Sequence, residues 1–318
     1  MSPSTVSRVL NGTQRVDAKR AERVLAVVEE LGYLPNSMKR HERTIALVVP
    51  MGFTARANWS ASTLDGVIDG SGPYHVSILR TDRLPEMRPG QAKAYWRQFV
   101  MHMGVRGVIV VHGTHSPRIC TDLRAAEVPY LVFGRGAPTD DWVWCDNAEV
   151  IKEALTHAFN LGHRRIGFLR RDSNEPDHVD RVEAYRAFIE EHGLVRDEMV
   201  FGDESGLQLE HVVDRMLARQ DRPTALFVAD AEGGVRVLNR MRDLGLSVPD
   251  DLSIISMGHS PILQAWRPRL TLVVRRLHDG ARMAVETLLS ITQEPRETPT
   301  QLIVPSDLIP GESVAPVR

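Results

Sequence analysis

Cysteine is almost absent from this chain of 318 residues, with Cys120 and Cys145 its only two. They lie far apart and form no Cys-x-x-Cys pair, which excludes a disulfide framework or a cysteine zinc site; two buried free thiols are expected. Long apolar runs are also missing. No stretch approaches the roughly 20 apolar residues that span a bilayer, and the first residues lack the charged-then-apolar pattern of a secretory signal. A cytoplasmic protein with no membrane partner is the expectation. Catalytic signatures are scarce as well: no Gly-x-Ser-x-Gly elbow, Walker loop or Gly-x-Gly-x-x-Gly opens a helix, and the histidines lack paired metal spacing. His157 and His163, six apart across a helix end, read as satisfied structural histidines. No enzyme, metal or cofactor is expected.

Charge of one sign is not in excess, since the formal net charge is -2, but it is unevenly placed. Residues 1–43 carry eight Lys/Arg against five acids, a net of +3, and the remaining 31 basic and 36 acidic residues give -5. A small basic module on an acidic body suits a phosphate-binding headpiece, although such an excess is also common on a solvated helix pair.

What is present is alternation. Strand-length apolar runs at residues 45–49, 75–79, 105–111, 130–133, 165–169, 225–228, 252–256 and 270–274 are separated by helical patterns at 89–103, 147–162, 178–192, 207–219, 231–245 and 277–292. This predicts an α/β fold of two doubly wound parallel-sheet lobes, with ligands bound beyond the carboxyl ends of the strands. Ahead of it, Asp17 can cap a helix running to about Leu31, with Val24, Leu25, Val27, Val28 and Leu31 on one face and Gly32 as its stop. The predicted organisation is a partial helix-turn-helix headpiece over 1–36, a charged hinge linker over 37–43, and a two-lobed effector-binding and dimerisation unit over 44–318.

The run Thr5-Val6-Ser7-Arg8-Val9-Leu10-Asn11-Gly12 followed by Gly32-Tyr33-Leu34-Pro35-Asn36 resembles the LacI/GalR family of bacterial transcription regulators. So do Val105-Arg106-Gly107-Val108-Ile109, Asp146-Asn147, Leu161-Gly162-His163-Arg164-Arg165-Ile166, Arg181 to Arg186 and Leu244 to Ser253, in the family's order across essentially the whole chain. The resemblance implies a repressor-like DNA-binding headpiece and a regulatory domain similar to periplasmic binding proteins. It further implies a homodimer or tetramer on double-stranded operator DNA, controlled by a small effector, a sugar or sugar derivative. It also implies three crossings of the chain between lobes, with the first lobe at 44–145 plus 275–297 and the second at 146–274 plus 298–318.

On the recognition helix, Pro3 and Ser4 occupy the first turn, where the family reads base edges. Both read poorly, so specificity is expected from Arg8, which can pair bidentately with guanine, and from Arg15. Thr5, Ser7 and Asn11 suit phosphate contacts that fix register, with helix capping as the alternative for the hydroxyl residues; Asn36 completes the expected DNA-binding set. Met1 stands where the family has a valine preceded by a first helix, which suggests a start codon assigned inside a longer reading frame. The linker is shorter than the family's hinge, and Met38 is its only apolar candidate for a minor-groove wedge.

For the effector, the resemblance implies Arg181 as the grip on hydroxyls or carboxylates and Trp59 as a stacking residue, although Trp59 could equally anchor helix to sheet. Asp230 stands at the family's usual asparagine. The family's aspartate after the strand at Ile254-Ile255 is replaced by Ser256-Met257-Gly258-His259, and Arg275 stands where glutamine is frequent. Were Arg170, Arg181, Arg275 and His259 to converge, an acidic effector such as a sugar phosphate or carboxylate would be favoured, solvated rim arginines being the alternative. The competing reading of the whole chain is an effector-binding module that has lost specific DNA binding.

Overall fold

The computed structural model describes residues 5–6, 9, 17, 23–24, 27, 43–50, 53, 57–84, 89–113, 115–173, 176–202, 208–258, 266–294 and 296–317. From Thr44 onward, strand and helix alternate in two sheets. The strands are β1 (Thr44–Val49), β2 (His75–Arg80), β3 (Val105–Val111), β4 (Tyr130–Phe133), β5 (Trp142–Cys145), β6 (Ile166–Arg171), β7 (Glu198–Phe201), β8 (Ala225–Val228), β9 (Ser253–Met257), β10 (Thr271–Arg275), β11 (Gln301–Val304) and β12 (Ser306–Ile309). The helices are α1 (Ala57–Ser71), α2 (Pro89–Met103), α3 (Ser116–Ala125), α4 (Asn147–Asn160), α5 (Pro176–Glu191), α6 (Leu209–Leu217), α7 (Ala231–Asp243) and α8 (Leu277–Gln293).

The first sheet runs β11-β5-β4-β3-β1-β2 and the second β12-β10-β9-β8-β6-β7. Every pairing is parallel except β10 with β12. Parallel strands need cover on both faces, which is why β3 ends in the continuous apolar run Val108-Ile109-Val110-Val111 and is buried along nearly its whole length. In the first lobe, α8 supplies Ala281, Ala284, Val285 and Leu288 to one face, while Trp96 of α2 and Leu123 of α3 cover the other. In the second lobe, α4 and α5 cover one face through Leu155, Tyr185 and Phe188, and α6 and α7 the other through Val213, Val237 and Met241.

The doubly wound two-lobed architecture is therefore as the sequence implies. One boundary differs. Residues 301–304 do not join the second lobe but form the outer strand of the first sheet, parallel to β5, and only β12 reaches the second. Four residues of β-prone sequence on each side of Pro305 are enough for one edge strand apiece. The headpiece is described at a few positions: Val6 and Val9, both helical, pack against Val24, which is 4% exposed. Val27, expected on the same buried face, is instead 46% exposed; Leu25, Val28 and Leu31 lie outside the described residues. No described helix is long and apolar enough to cross a membrane.

Candidate functional site

Parallel sheets direct the carboxyl ends of their strands toward one edge, and loops leaving those ends gather ligand contacts. At the ends of β3, β4, β5 and β10, Trp59, His112, Phe133, Gly134, Trp144, Cys145, Arg275 and Leu277 line a small, partly open cleft. Gly134 is there because nothing else fits: its φ is +134°, and a Cβ would lie 2.2 Å from that of His112. That close approach holds the two rims together, and the His112 amide donates to the Phe133 carbonyl at 2.9 Å. The His112 and Trp144 rings meet edge to face at 6.1 Å.

Trp59 takes the anchoring position that is the alternative to stacking on a ligand, and it also borders the cleft. It packs edge to face on Phe53 at 4.9 Å and against the first-lobe core, and its remaining face lines the cleft.

On the second-lobe side the cationic residues converge in part. Arg181, 6% exposed on α5, donates from Nε to Asn147 Oδ1 at 3.3 Å and from Nη1 to the Ala229 carbonyl at 3.4 Å. Arg275 donates from Nη1 to the same Asn147 oxygen at 3.3 Å. Asn147 is fully buried in the first turn of α4, where Asp146 caps the helix by accepting from the Ala148 amide, and its Nδ2 has no hydrogen-bond partner among the described residues. Arg170 carries a buried Nε that likewise lacks one. Arg171 turns elsewhere, 4.0 Å from Asp230 and over the Phe201 ring. His259 lies outside the described residues.

Asp230 is not an unencumbered acceptor at the cleft. It caps α7, its Oδ1 accepting from the Gly233 amide at 2.5 Å. The neighbouring Ser256 hydroxyl donates to the Asp230 carbonyl, so the strand end that lacks the family's aspartate is used to fix this cap. Asn147, His112 and Trp144 were not singled out as site residues from sequence. The Asp146-Asn147 pair at a strand-to-helix turn was the available signal for the first, while nothing local marks the other two, which meet only through sheet register.

Of the expected DNA contacts, Thr5 is helical and half-buried beside Val6; Pro3, Ser4, Ser7, Arg8, Asn11, Arg15 and Asn36 lie outside the described residues, as does Met38. Residues 1–36 match the model of the lacI family of bacterial regulatory proteins, and residues 155–314 that of a periplasmic binding protein-like domain. The chain belongs to the lacI family of bacterial regulatory proteins. As a member of the lacI family it is a DNA-binding transcription regulator with an effector-binding domain.

The chain is 28% identical to catabolite control protein A of Priestia megaterium over 302 residues, covering 91% of this chain and 88% of that one. It is 26% identical to the HTH-type transcriptional regulator DegA of Bacillus subtilis, covering 100% and 96%. Among solved structures it resembles the transcriptional regulator CelR in complex with cellobiose, with a TM-score of 0.70 at 23% identity, covering 99% and 96%. It also resembles the lac repressor dimer bound to operator and the anti-inducer ONPF, with a TM-score of 0.71 at 18% identity, covering 99% and 96%. Both are likenesses of fold. The relatives named here are regulators of transcription.

Proposed function

We propose that this regulator changes its affinity for a double-stranded operator when an acidic, carbohydrate-derived effector seats between the aromatic wall of the first lobe and the Asn147–Arg181–Arg275 group of the second. The observation that carries the reading is the sharing of one buried Asn147 oxygen by two guanidinium groups. Two cations drawn to one point favour an anion beside them, and guanidinium forks match carboxylate and phosphate geometry. The buried Asn147 Nδ2 supports it further, since an unmade buried hydrogen bond costs about 1–3 kcal/mol that a ligand oxygen would recover. Trp59, Trp144 and His112 give the cleft an aromatic lining suited to a sugar ring. Asp230 contributes through the α7 cap, and His259 is kept as a further effector contact. The protein acts as a cytoplasmic homodimer and catalyses nothing.

In the headpiece Thr5, Ser7 and Asn11 hold phosphates, Arg8 and Arg15 set base preference, and Pro3, Ser4 and Asn36 belong to the same DNA-binding set. The packing of Val6 and Val9 on Val24 favours this over a module without DNA function.

Calorimetric titration with glucose, glucuronate and glucose 6-phosphate tests the effector class. An acidic member is expected to bind at least tenfold more tightly than glucose, and Arg275→Gln to erase that preference. A preference for the neutral sugar, or no heat with either acid, would overturn the acidic reading.

A further inference from the structure

Each passage between the lobes is a single residue: Asp146 between β5 and α4, Arg276 between β10 and α8, and Pro305 between β11 and β12. Hinge closure is absorbed by the torsions of a few such residues, so the groups that hold them decide how the lobes move. Polar ties join the passages in all three pairings. Arg275 donates to Asn147, and the Cys145 sulfur lies 3.8 Å from the Arg276 carbonyl, joining the first passage to the second. Glu153 of α4 accepts from the Ser306 hydroxyl at 2.7 Å and the Leu308 amide at 3.1 Å, joining the first to the third. The second and third are joined by Arg276, whose Nε and Nη2 donate to the two oxygens of Asp307 at 2.7 and 2.6 Å.

Arg276 faces both ways. Its carbonyl accepts from the Gly280 amide at 2.9 Å and so belongs to the first turn of α8, which is fixed to the first lobe. There a Cβ on Gly280 would lie 3.1 Å from the Cys145 sulfur and 3.2 Å from Phe133. Its guanidinium belongs to the second lobe, through β12. In that antiparallel pair Val274 stands opposite Asp307 and Arg275 opposite Ser306. Arg276 therefore reaches diagonally back across the ladder just past its last rung. The side chains are 44% and 41% exposed, and exposed ion pairs add little to folding stability. A planar two-point fork nevertheless fixes orientation, which is what a joint requires.

We propose that Arg276 and Asp307 form a clasp that, by tying the second passage to the third, completes one hinge from the three and sets the angle at which the lobes rest. The pair does not line the effector cleft, so it governs effector affinity only through lobe geometry, and its test needs no effector.

The test is double electron–electron resonance on the full chain, with spin labels at Ala94→Cys on α2 and Ala187→Cys on α5, both exposed positions. Labelled chains are diluted into unlabelled ones so that only distances within one chain are read. Cys120 and Cys145 are buried and stay unlabelled. The parent should give one narrow interlobe distance. Asp307→Asn should lose it to a broadened or displaced distribution, and the swap R276D/D307R should restore the narrow peak. If Asp307→Asn does not fold, Arg276→Lys, which keeps the charge but not the fork, takes its place and should broaden the peak. A distribution from the folded single variant that superimposes on the parent's overturns the clasp, as does a swap that folds but leaves the broadening in place.

Discussion

His163 holds the chain's final segment to the second lobe, with Nδ1 against the Thr224 hydroxyl at 2.9 Å and Nε2 against the Ala315 carbonyl at 3.0 Å. Burial pushes its pKa below the ordinary histidine value; the bond to Ala315 works against that shift and the nearby His157 adds to it. The unfolded chain consequently binds a proton more readily than the folded one. Stability from this site is complete above the unfolded histidine pKa, about 6.5, and is lost as the pH falls below it. His157 is shifted in the same direction by burial. Denaturant melts between pH 7.5 and 5 should show stability falling with acid, and His163→Gln should flatten that slope without abolishing it. An unchanged slope would place the pH dependence in other groups.

Between elements, α1 and α8 come unusually close, and two glycines make this possible. A Cβ on Gly66 would lie 2.1 Å from the His278 carbonyl oxygen, and one on Gly70 2.9 Å from that of Arg282. Since the obstacle is backbone, the helices must move apart, and overpacking of this kind costs about 1–3 kcal/mol. Gly66→Ala should lower the unfolding free energy by that amount, read as a lower urea midpoint at unchanged slope, despite alanine's better helix propensity. Sequence periodicity did not mark α1 at all: Ala57–Ser71 is rich in Ser, Gly and Asp, and its helicity comes from tertiary packing rather than intrinsic preference. The strands β3, β4 and β8 match their apolar runs to the residue although β4 and β8 are only four residues long, whereas β7, β11 and β12, of the same short length, open on Glu198, Gln301 and Ser306 and leave too short an apolar run to read. The site divides in the same way. Arg181 and Trp59 were legible because a family motif marks them, and Asn147 was visible only as half of a cap, its role as shared acceptor arising when α5 and β10 meet over α4.

At the scale of the whole molecule, the described headpiece residues Val6, Val9 and Val24 cluster apart from the cores of the lobes, so the two can be perturbed separately. Val24 is the buried centre of the described headpiece contacts, with Val6 and Val9 against it. Val24→Ala removes two methyl groups, worth about 1–2 kcal/mol. It should weaken binding to operator selected from random duplexes, measured by fluorescence anisotropy, while leaving the calorimetric affinity for effector unchanged. Loss of both together would mean that the headpiece and the lobes fold as one unit. The lobes themselves cannot be so divided. Residues 301–304 complete the edge of one sheet and 306–309 the edge of the other, with Pro305 alone between them. During translation, therefore, neither sheet closes until this short span has left the ribosome. The first sheet gains its last strand at Val304 and the second only with the few residues after Pro305, so the two lobes are completed in close succession at the end of synthesis.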